Sequence, residues 1–479
     1  MRIRLPGPHA PAWVLAESIA AAIFSFASMM VIGRVIGPHA TGVGTIAIAS
    51  FLLLEVFGAT LFPDALVQYR KLDERHASSA ATASVLLGLV LGLAMAAASP
   101  FIAARTGSPE VVWLILALAP MMPLTAFSGT ASGLLLRDQR YRLMSMRLLV
   151  GQPIALAAGL GMAAAGYGPW AMVVNQCVAT VITFLLLLRG GNLKLRPRWD
   201  MAALRDLWPV AGPQVAGVAV MVGRYRLFLL ALGFVVSQSV LAVSHFAFRL
   251  LDAALAIVWQ TVGRLAMPRL CALQHDRAAM AEAYGELAQL QALLGLPIAA
   301  GLALIAPDLV HGLLGPEWAG AASAARVAGC AVLVTFLYGD HVALFVAIGR
   351  AKWNFYVALG TLVLPMVALV VIQPETPEAV AMVWGAQCLL FAPVLAWVVL
   401  RQLRRSLFWL GRKVAPGVLA TAAMAVVVAL IEQGLDLPPI ARVLASVGVG
   451  GLTYVAVAWL ALGGKLPPAL LRAAMVRPS

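Results

Sequence analysis

Long apolar stretches separated by short polar gaps run from one end of the chain to the other. At about 1.5 Å per helical residue, about 20 apolar residues cross a hydrocarbon core of about 30 Å, and about fourteen stretches reach that length. They lie near residues 11–36, 41–66, 77–104, 110–135, 144–165, 168–189, 207–233, 238–264, 287–307, 319–348, 354–373, 377–401, 413–432 and 440–463. Several intervening gaps are rich in Gly and Pro, as at Gly37 and Pro38, Gly166 to Pro169, and Pro374 to Pro377. Such tight turns predict antiparallel neighbouring helices. The predicted fold class is therefore an all-α polytopic membrane protein.

The charges alternate with the gaps. Of the 34 Lys and Arg residues, 27 fall in every second gap, from Arg2 and Arg4 through Arg70, Lys71 and Arg75, and Arg137, Arg140, Arg142 and Arg147, to Lys465, Arg472 and Arg477. The intervening gaps hold Arg105 alone. By the positive-inside rule both termini are expected in the cytoplasm, and the chain is expected to be multi-pass in a cell inner membrane. The six remaining cations, Arg34, Arg224, Arg226, Arg249, Arg326 and Arg442, lie inside predicted spans.

Composition narrows the class further. A chain of 479 residues that is 62% hydrophobic and 11% charged leaves no polar segment long enough for a soluble catalytic domain. The longest polar gaps, near 190–206 and 266–286, are expected on the cytoplasmic side. A net charge of +14 spread over those loops is what topology and anionic headgroups require, so no nucleic-acid partner is expected. Cys177, Cys330 and Cys388 sit in apolar spans and Cys271 in a loop, which indicates neither a disulfide framework nor a metal pair. The segment after Arg2 and Arg4 carries Pro6, Pro8 and Pro11 and no small-residue cleavage pattern, so it reads as an uncleaved first helix.

A weak internal repeat organises the spans. GYGPWAMVVNQC, ending at Cys177, matches ETPEAVAMVWGAQC, ending at Cys388, at an offset of 211, and TGSPEVVW around Gly107 resembles LLGPEW around Gly315. Two parallel six-helix halves related by an axis along the membrane normal follow. The domain reading is a six-helix lobe over 1–190, a cytoplasmic linker over 191–206, a second six-helix lobe over 207–404, and two additional helices with a cytoplasmic tail over 405–479. Prolines inside spans, among them Pro120, Pro153, Pro213, Pro297, Pro365 and Pro393, are either ordinary membrane-helix prolines or kinks that let helices bend.

Charge inside a span costs about 2.5 to 3.5 kcal/mol on insertion scales, so these residues are candidates for function. Arg34 and Arg442, near span ends, can snorkel to headgroups. Arg224 and Arg226 flank Tyr225 on the seventh span and point about 200° apart. Arg249 and Asp252, at i and i+3, form either a self-neutralised pair or a substrate-contacting Arg with an orienting Asp. His245 stands one turn earlier on the same face. Glu17, Glu55, Asp252 and Asp340 are candidates for ion coupling, with plain helix-to-helix hydrogen bonding as the alternative. Acids dominate the first lobe and cations the second. A cationic, water-filled cavity suits an anionic substrate, and the Arg fork suits phosphate oxygens. Arg224, Arg226, Arg249 and Arg326 are accordingly the candidate substrate-binding residues.

Arg34-Val-Ile-Gly-Pro38, ALVQYRKLDERHASSA (65–80), GLLLRDQRYRLM ending at Met144, AGYGPWAMVVNQ (165–176), FRLLDA (248–253), AMPRLCALQHDRAAMAEAY (266–284) and LLGPEW (313–318) carry a family resemblance. In order and spacing, over about residues 10–400, they resemble a Wzx-type polysaccharide transporter of the multidrug/oligosaccharidyl-lipid/polysaccharide exporter superfamily. The resemblance implies two six-helix lobes around a central cavity, plus two extra helices. It also implies flipping of an undecaprenyl-pyrophosphate-linked oligosaccharide toward the periplasmic leaflet for polysaccharide export, coupled to H⁺ or Na⁺. Members often carry Asn and Asp on the seventh span, where this chain reads MVGRYRLFLL.

The expected partners are a lipid-linked oligosaccharide, membrane lipids, and polysaccharide polymerase and export proteins. Neither enzymatic activity nor a resident cofactor is expected, and no metal ligand set stands out. The competing readings are a drug or metabolite exporter of the same fold, a membrane glycan polymerase or ligase, and a non-transporting scaffold. A polymerase or ligase is disfavoured because no predicted periplasmic gap exceeds about a dozen residues.

Overall fold

The computed structural model describes residues 12–191, 195–434, 436–465 and 467. Arg2, Arg4, Lys194, Arg472 and Arg477, which contribute to the predicted orientation, lie outside them. The described residues form helices and turns without strands, and they contain 12 helices long and apolar enough to cross a membrane, or 13 when the bent pair Met201–Val235 is counted. They divide into two compact units, Met1–Ala242 and Val243–Ser479.

The first unit begins with α1 (Ala12–Ala59), a 48-residue run broken at Gly37 (φ 77°, ψ 169°). That backbone conformation is open to glycine and the following Pro38 lacks an amide to continue the ladder, so the predicted turn is reduced to a kink between two apolar arms. The second arm stops short of its expected end, because Pro63 opens a separate short helix, α2 (Pro63–Gln68). Then follow α3 (Glu74–Thr106), α4 (Glu110–Leu118), α5 (Met121–Arg137), α6 (Tyr141–Ala164), α7 (Trp170–Gly191) and α8 (Met201–Val235). The sequence reading opens the second lobe at 207. In the structure α8, which begins at Met201, packs on α1, α2 and α3, and the two units divide after Ala242.

Helix–helix contact in lipid gains little from the hydrophobic effect, so close backbone approach must supply it. Two Gly-x-x-x-Gly pairs provide that approach around α5. Gly88 and Gly92 on α3 press on Pro123 and Ala119, where an added Cβ would stand 2.6 Å and 2.7 Å from the nearest backbone atom. Gly129 and Gly133 on α5 press on Ala59 and Pro63.

The polar ends are satisfied locally. Asp73 and His76 form a reciprocal capping box at the start of α3, and Asp200 caps α8 by accepting from the Ala202 and Ala203 amides. These amide hydrogen bonds, the Ala203 bond foremost, hold the Asp200 carboxyl below its ordinary range. The Ser78, Ser79 and Thr82 hydroxyls of α3 accept from the amides of Arg196, Asp200 and Arg198, which straps the polar linker along that helix.

Arg137, counted from sequence only as a topological charge, closes the C-terminal end of α2. Its Nη1 donates to the carbonyls of Leu66 (2.8 Å), Val67 (3.2 Å) and Tyr69 (2.6 Å), and its Nη2 to that of Arg70 (3.3 Å). Charge-assisted bonds of this kind contribute about 1.5 to 3 kcal/mol. Arg137→Ala is expected to lower the thermal unfolding midpoint of the purified protein, and Arg137→Lys to recover little, since an ammonium cannot span the same fork of carbonyls. Equal midpoints for wild type and Arg137→Ala would rule out the cap.

The second unit starts within α9 (Gln238–Ala272), which with α10 (Arg277–Leu314) extends through the expected polar gap 266–286, leaving a four-residue turn capped by Asp276. The extensions are tied by Arg269 to Glu286. The tenth predicted span is discontinuous: α11 (Ala319–Leu333) gives way to a single 3₁₀ turn and a bend before α12 (His341–Ala347). α10 satisfies the freed backbone, with Tyr284 Oη donating to the Tyr338 carbonyl (2.5 Å) and Gln291 Nε2 to that of Thr335 (3.0 Å). α13 (Lys352–Ile372) and α14 (Pro377–Leu403) follow. The last pair, α15 (Leu407–Gly434) and α16 (Pro439–Ala461), packs on α10. Arg405 and Lys413 hold Glu282 of α10 at 3.0 Å and 2.9 Å, and Arg442 holds Asp308 at 3.2 Å.

Candidate functional site

A cavity of about 360 Å³ lies inside the first unit, between α1, α2, α5, α6 and α7. Its polar lining follows helical spacing. On α5 the positions Thr125, Ser128, Gly129 and Ser132 share one face, and on α7 Gln176, Ala179, Thr180 and Thr183 do the same. α1 contributes Glu55 and Ala59, and α6 contributes Arg147 and Gln152. The lining therefore holds seven uncharged polar side chains and two charged ones.

Both charges are tethered. Arg147 donates from Nη2 to Glu17 Oε1 (3.0 Å), from Nη1 to Ser132 Oγ (3.0 Å) and from Nε to the Met144 carbonyl (3.1 Å). Three bonds on three sides fix the guanidinium plane at the cavity wall. Glu55 stands 3.9 Å from Arg226 of α8, whose Nη1 also donates to the Leu52 carbonyl. Both partners are half-buried. At 3.9 Å the pair is held by Coulomb attraction rather than by a short hydrogen bond, which leaves the carboxylate able to accept from another donor. The hydroxyls of Thr125 and Ser128 donate back to the Met122 and Leu124 carbonyls of their own helix, so their oxygens present acceptor lone pairs.

Of the sequence-predicted residues, the structure gathers three around this cavity: Glu55 in its lining, Arg226 paired to Glu55, and Glu17 paired to Arg147. Arg224 lies half-buried two residues before Arg226. The remaining four are in the second unit. Arg249 is half-buried and Asp252 exposed on α9. Arg326 is exposed on α11, with Nε 3.4 Å from the Ala303 carbonyl. Asp340 is the N-cap of α12, accepting from the Val342 and Ala343 amides at 3.0 Å and 3.2 Å. Sequence reasoning missed Arg147, Gln152 and the hydroxyl stripes. The charge pattern places Arg147 in a cytoplasmic gap, whereas it is the seventh residue of α6. The stripe on α7 was visible as Gln176, Thr180 and Thr183 at i, i+4 and i+7 in an apolar helix.

A many-span helical protein with a polar cavity inside one of two compact units, and a broken membrane helix in the other, has the architecture of a membrane transporter. The chain matches the family model described as "Polysaccharide biosynthesis protein" over residues 31–323, and it belongs to that family. It is similar to the succinoglycan biosynthesis transport protein ExoT of Rhizobium meliloti (22% identity, 90% of this chain and 88% of that one). It is likewise similar to the teichuronic acid biosynthesis protein TuaB of Bacillus subtilis (20% identity, 82% and 83%). Among solved structures its fold is similar to that of the lipid II flippase MurJ (TM-score 0.76, 12% identity, 94% of this chain and 98% of that one). An inward-facing multidrug resistance MATE family transporter of the MOP superfamily shares the fold more distantly (TM-score 0.59, 15% identity, 84% and 96%).

Proposed function

We propose that this protein flips an undecaprenyl-pyrophosphate-linked oligosaccharide from the cytoplasmic to the periplasmic leaflet for polysaccharide export, by alternating access coupled to H⁺ or Na⁺, and catalyses no covalent chemistry. The observation that carries this reading is the lining of the cavity in the first unit: hydroxyls and amides outnumber charges, as a ligand rich in sugar hydroxyls requires. Family membership and the transport relative point the same way. The proposed topology has about fourteen spans with both termini cytoplasmic, in a cell inner membrane.

In this reading Arg224, Arg226, Arg249 and Arg326 bind the pyrophosphate or acidic sugars, to which guanidinium forks donate in pairs. Glu17, Glu55, Asp252 and Asp340 serve ion coupling. Glu55 supplies the clearest step: a proton or Na⁺ arriving at its carboxylate competes with Arg226, and the released guanidinium is free to take a phosphate oxygen. The polyprenyl tail stays in lipid while the glycan crosses. Polysaccharide polymerase and export proteins receive the product.

The test is the leaflet distribution of lipid-linked oligosaccharide in cells depleted of the protein. The expected result is accumulation on the cytoplasmic leaflet with loss of exported polymer. Normal outward flux would overturn the reading and redirect it to export of a drug or metabolite.

A further inference from the structure

A second cavity, of about 430 Å³, lies in the second unit where α14 ends and α13 begins. Its lining is Arg350, Trp353, Trp397, Val398, Arg401 and Gln402. Each guanidinium stands over an indole: Arg350 at 4.5 Å from the Trp353 ring centre and Arg401 at 5.2 Å from that of Trp397. Trp353 is itself fixed edge-on against Phe345 at 5.2 Å. Neither Arg has a carboxylate within 4.0 Å among the described residues. Two positive charges sharing one hollow without a counter-charge repel each other, and an anion between them removes that cost. Stacking on an indole leaves the edge of a guanidinium, with its N–H donors, turned away from the ring and toward a ligand.

The surroundings select the kind of anion. From the Trp353 end an exposed apolar stripe runs along α13 through Tyr356, Leu359, Val363, Val367 and Val370. On α14 the exposed residues Leu390, Val394 and Trp397 lead, at helical spacing, to Arg401. Trp and Arg at the head of lipid-facing helices are the signature of a headgroup boundary. A ligand that places one phosphate between two Arg residues and continues into apolar chains fits both features, whereas a free phosphate uses only the first.

We infer that this cavity is a binding site for the phosphate of an anionic glycerophospholipid, with the acyl chains lying along the α13 and α14 faces. The site is separate from the glycan cavity of the first unit, and it stands or falls independently of the transported substrate.

The full chain in a neutral detergent, titrated with phosphatidylglycerol and followed by native mass spectrometry, tests the assignment. One phosphatidylglycerol is expected to remain bound under conditions that strip phosphatidylcholine. The Arg350→Gln/Arg401→Gln pair is expected to weaken retention at least tenfold, and Arg401→Gln alone at least threefold. Inorganic phosphate at the same concentration is expected not to displace the lipid. Equal retention of phosphatidylcholine would overturn the assignment, as would full displacement by inorganic phosphate, which would make the site one for the free anion. Should the double variant elute as an aggregate, the single Arg401→Gln variant decides, since this side chain is exposed. Unchanged retention by it in monodisperse protein counts against the site.

Discussion

Arg147→Ala is expected to abolish export and to lower the amount of folded protein, whereas the double variant Arg147→Ala/Glu17→Ala is expected to recover the folded protein without recovering export. The reasoning begins with the pair itself, at 3.0 Å and with both side chains at most a quarter exposed. Removing one member of a buried pair leaves an uncompensated charge and costs about 3 kcal/mol, and removing both takes that cost away. Folding should therefore respond to the pair and not to either residue alone. Export should respond to Arg147 in every background, because the same guanidinium holds Ser132 at 3.0 Å in the cavity wall. The readouts are thermal unfolding of the purified protein and surface polysaccharide in cells. A coupling energy near zero in the double-mutant cycle would show that the contact carries no weight. Wild-type polysaccharide in Arg147→Ala would remove Arg147 from the transport path.

Charge counting treats each Lys or Arg near a span boundary as a topological marker. It cannot separate a headgroup-facing Arg from one that reaches back into the bundle, because the two differ in helix rotation and not in position along the chain. Arg137 and Arg147 both read as loop charges in the sequence, yet one caps α2 and the other anchors Glu17. The apolar runs themselves were legible, since a membrane span imposes length and composition directly. The breaks were legible where Gly and Pro mark them, as at Gly37. They were not legible at Gly339, where α11 and α12 part within a span. There the decisive partners, Tyr284 and Gln291, are about 50 residues away in sequence, and only the fold brings them together. The acids read as coupling candidates were found as residue types. What each meets, Arg147 for Glu17, Arg226 for Glu55 and helix amides for Asp340, depends on packing that no periodicity encodes.

The packing of α5 sets the second large effect, and it was written in the sequence as SGTASG over 128–133. Gly129 and Gly133 lie one turn apart, and a Cβ on Gly129 would stand 2.0 Å from the Ala59 carbonyl oxygen, while one on Gly133 would come within 2.6 Å of the Pro63 Cα. Both obstacles are backbone, at the point where α1 ends and Pro63 begins α2, so neither can rotate aside as a side chain would. Overpacking costs about 1 to 3 kcal/mol even where side chains can adjust. Here α5 must move away from α1 and α2 as a body. Ser128 and Ser132, on the same stretch, would move with it and open the cavity wall. Gly129→Ala is therefore expected to reduce export several-fold and to lower the unfolding midpoint. Gly129→Val, with two further methyl groups at the same contact, is expected to yield almost no folded protein. Gly161→Ala on α6, where an added Cβ meets nothing within 4 Å, is the matched control and is expected to behave as wild type or slightly better, as a helical Gly→Ala exchange does in open space. Equal loss at positions 129 and 161 would mean that glycine itself, and not this contact, is what the bundle requires.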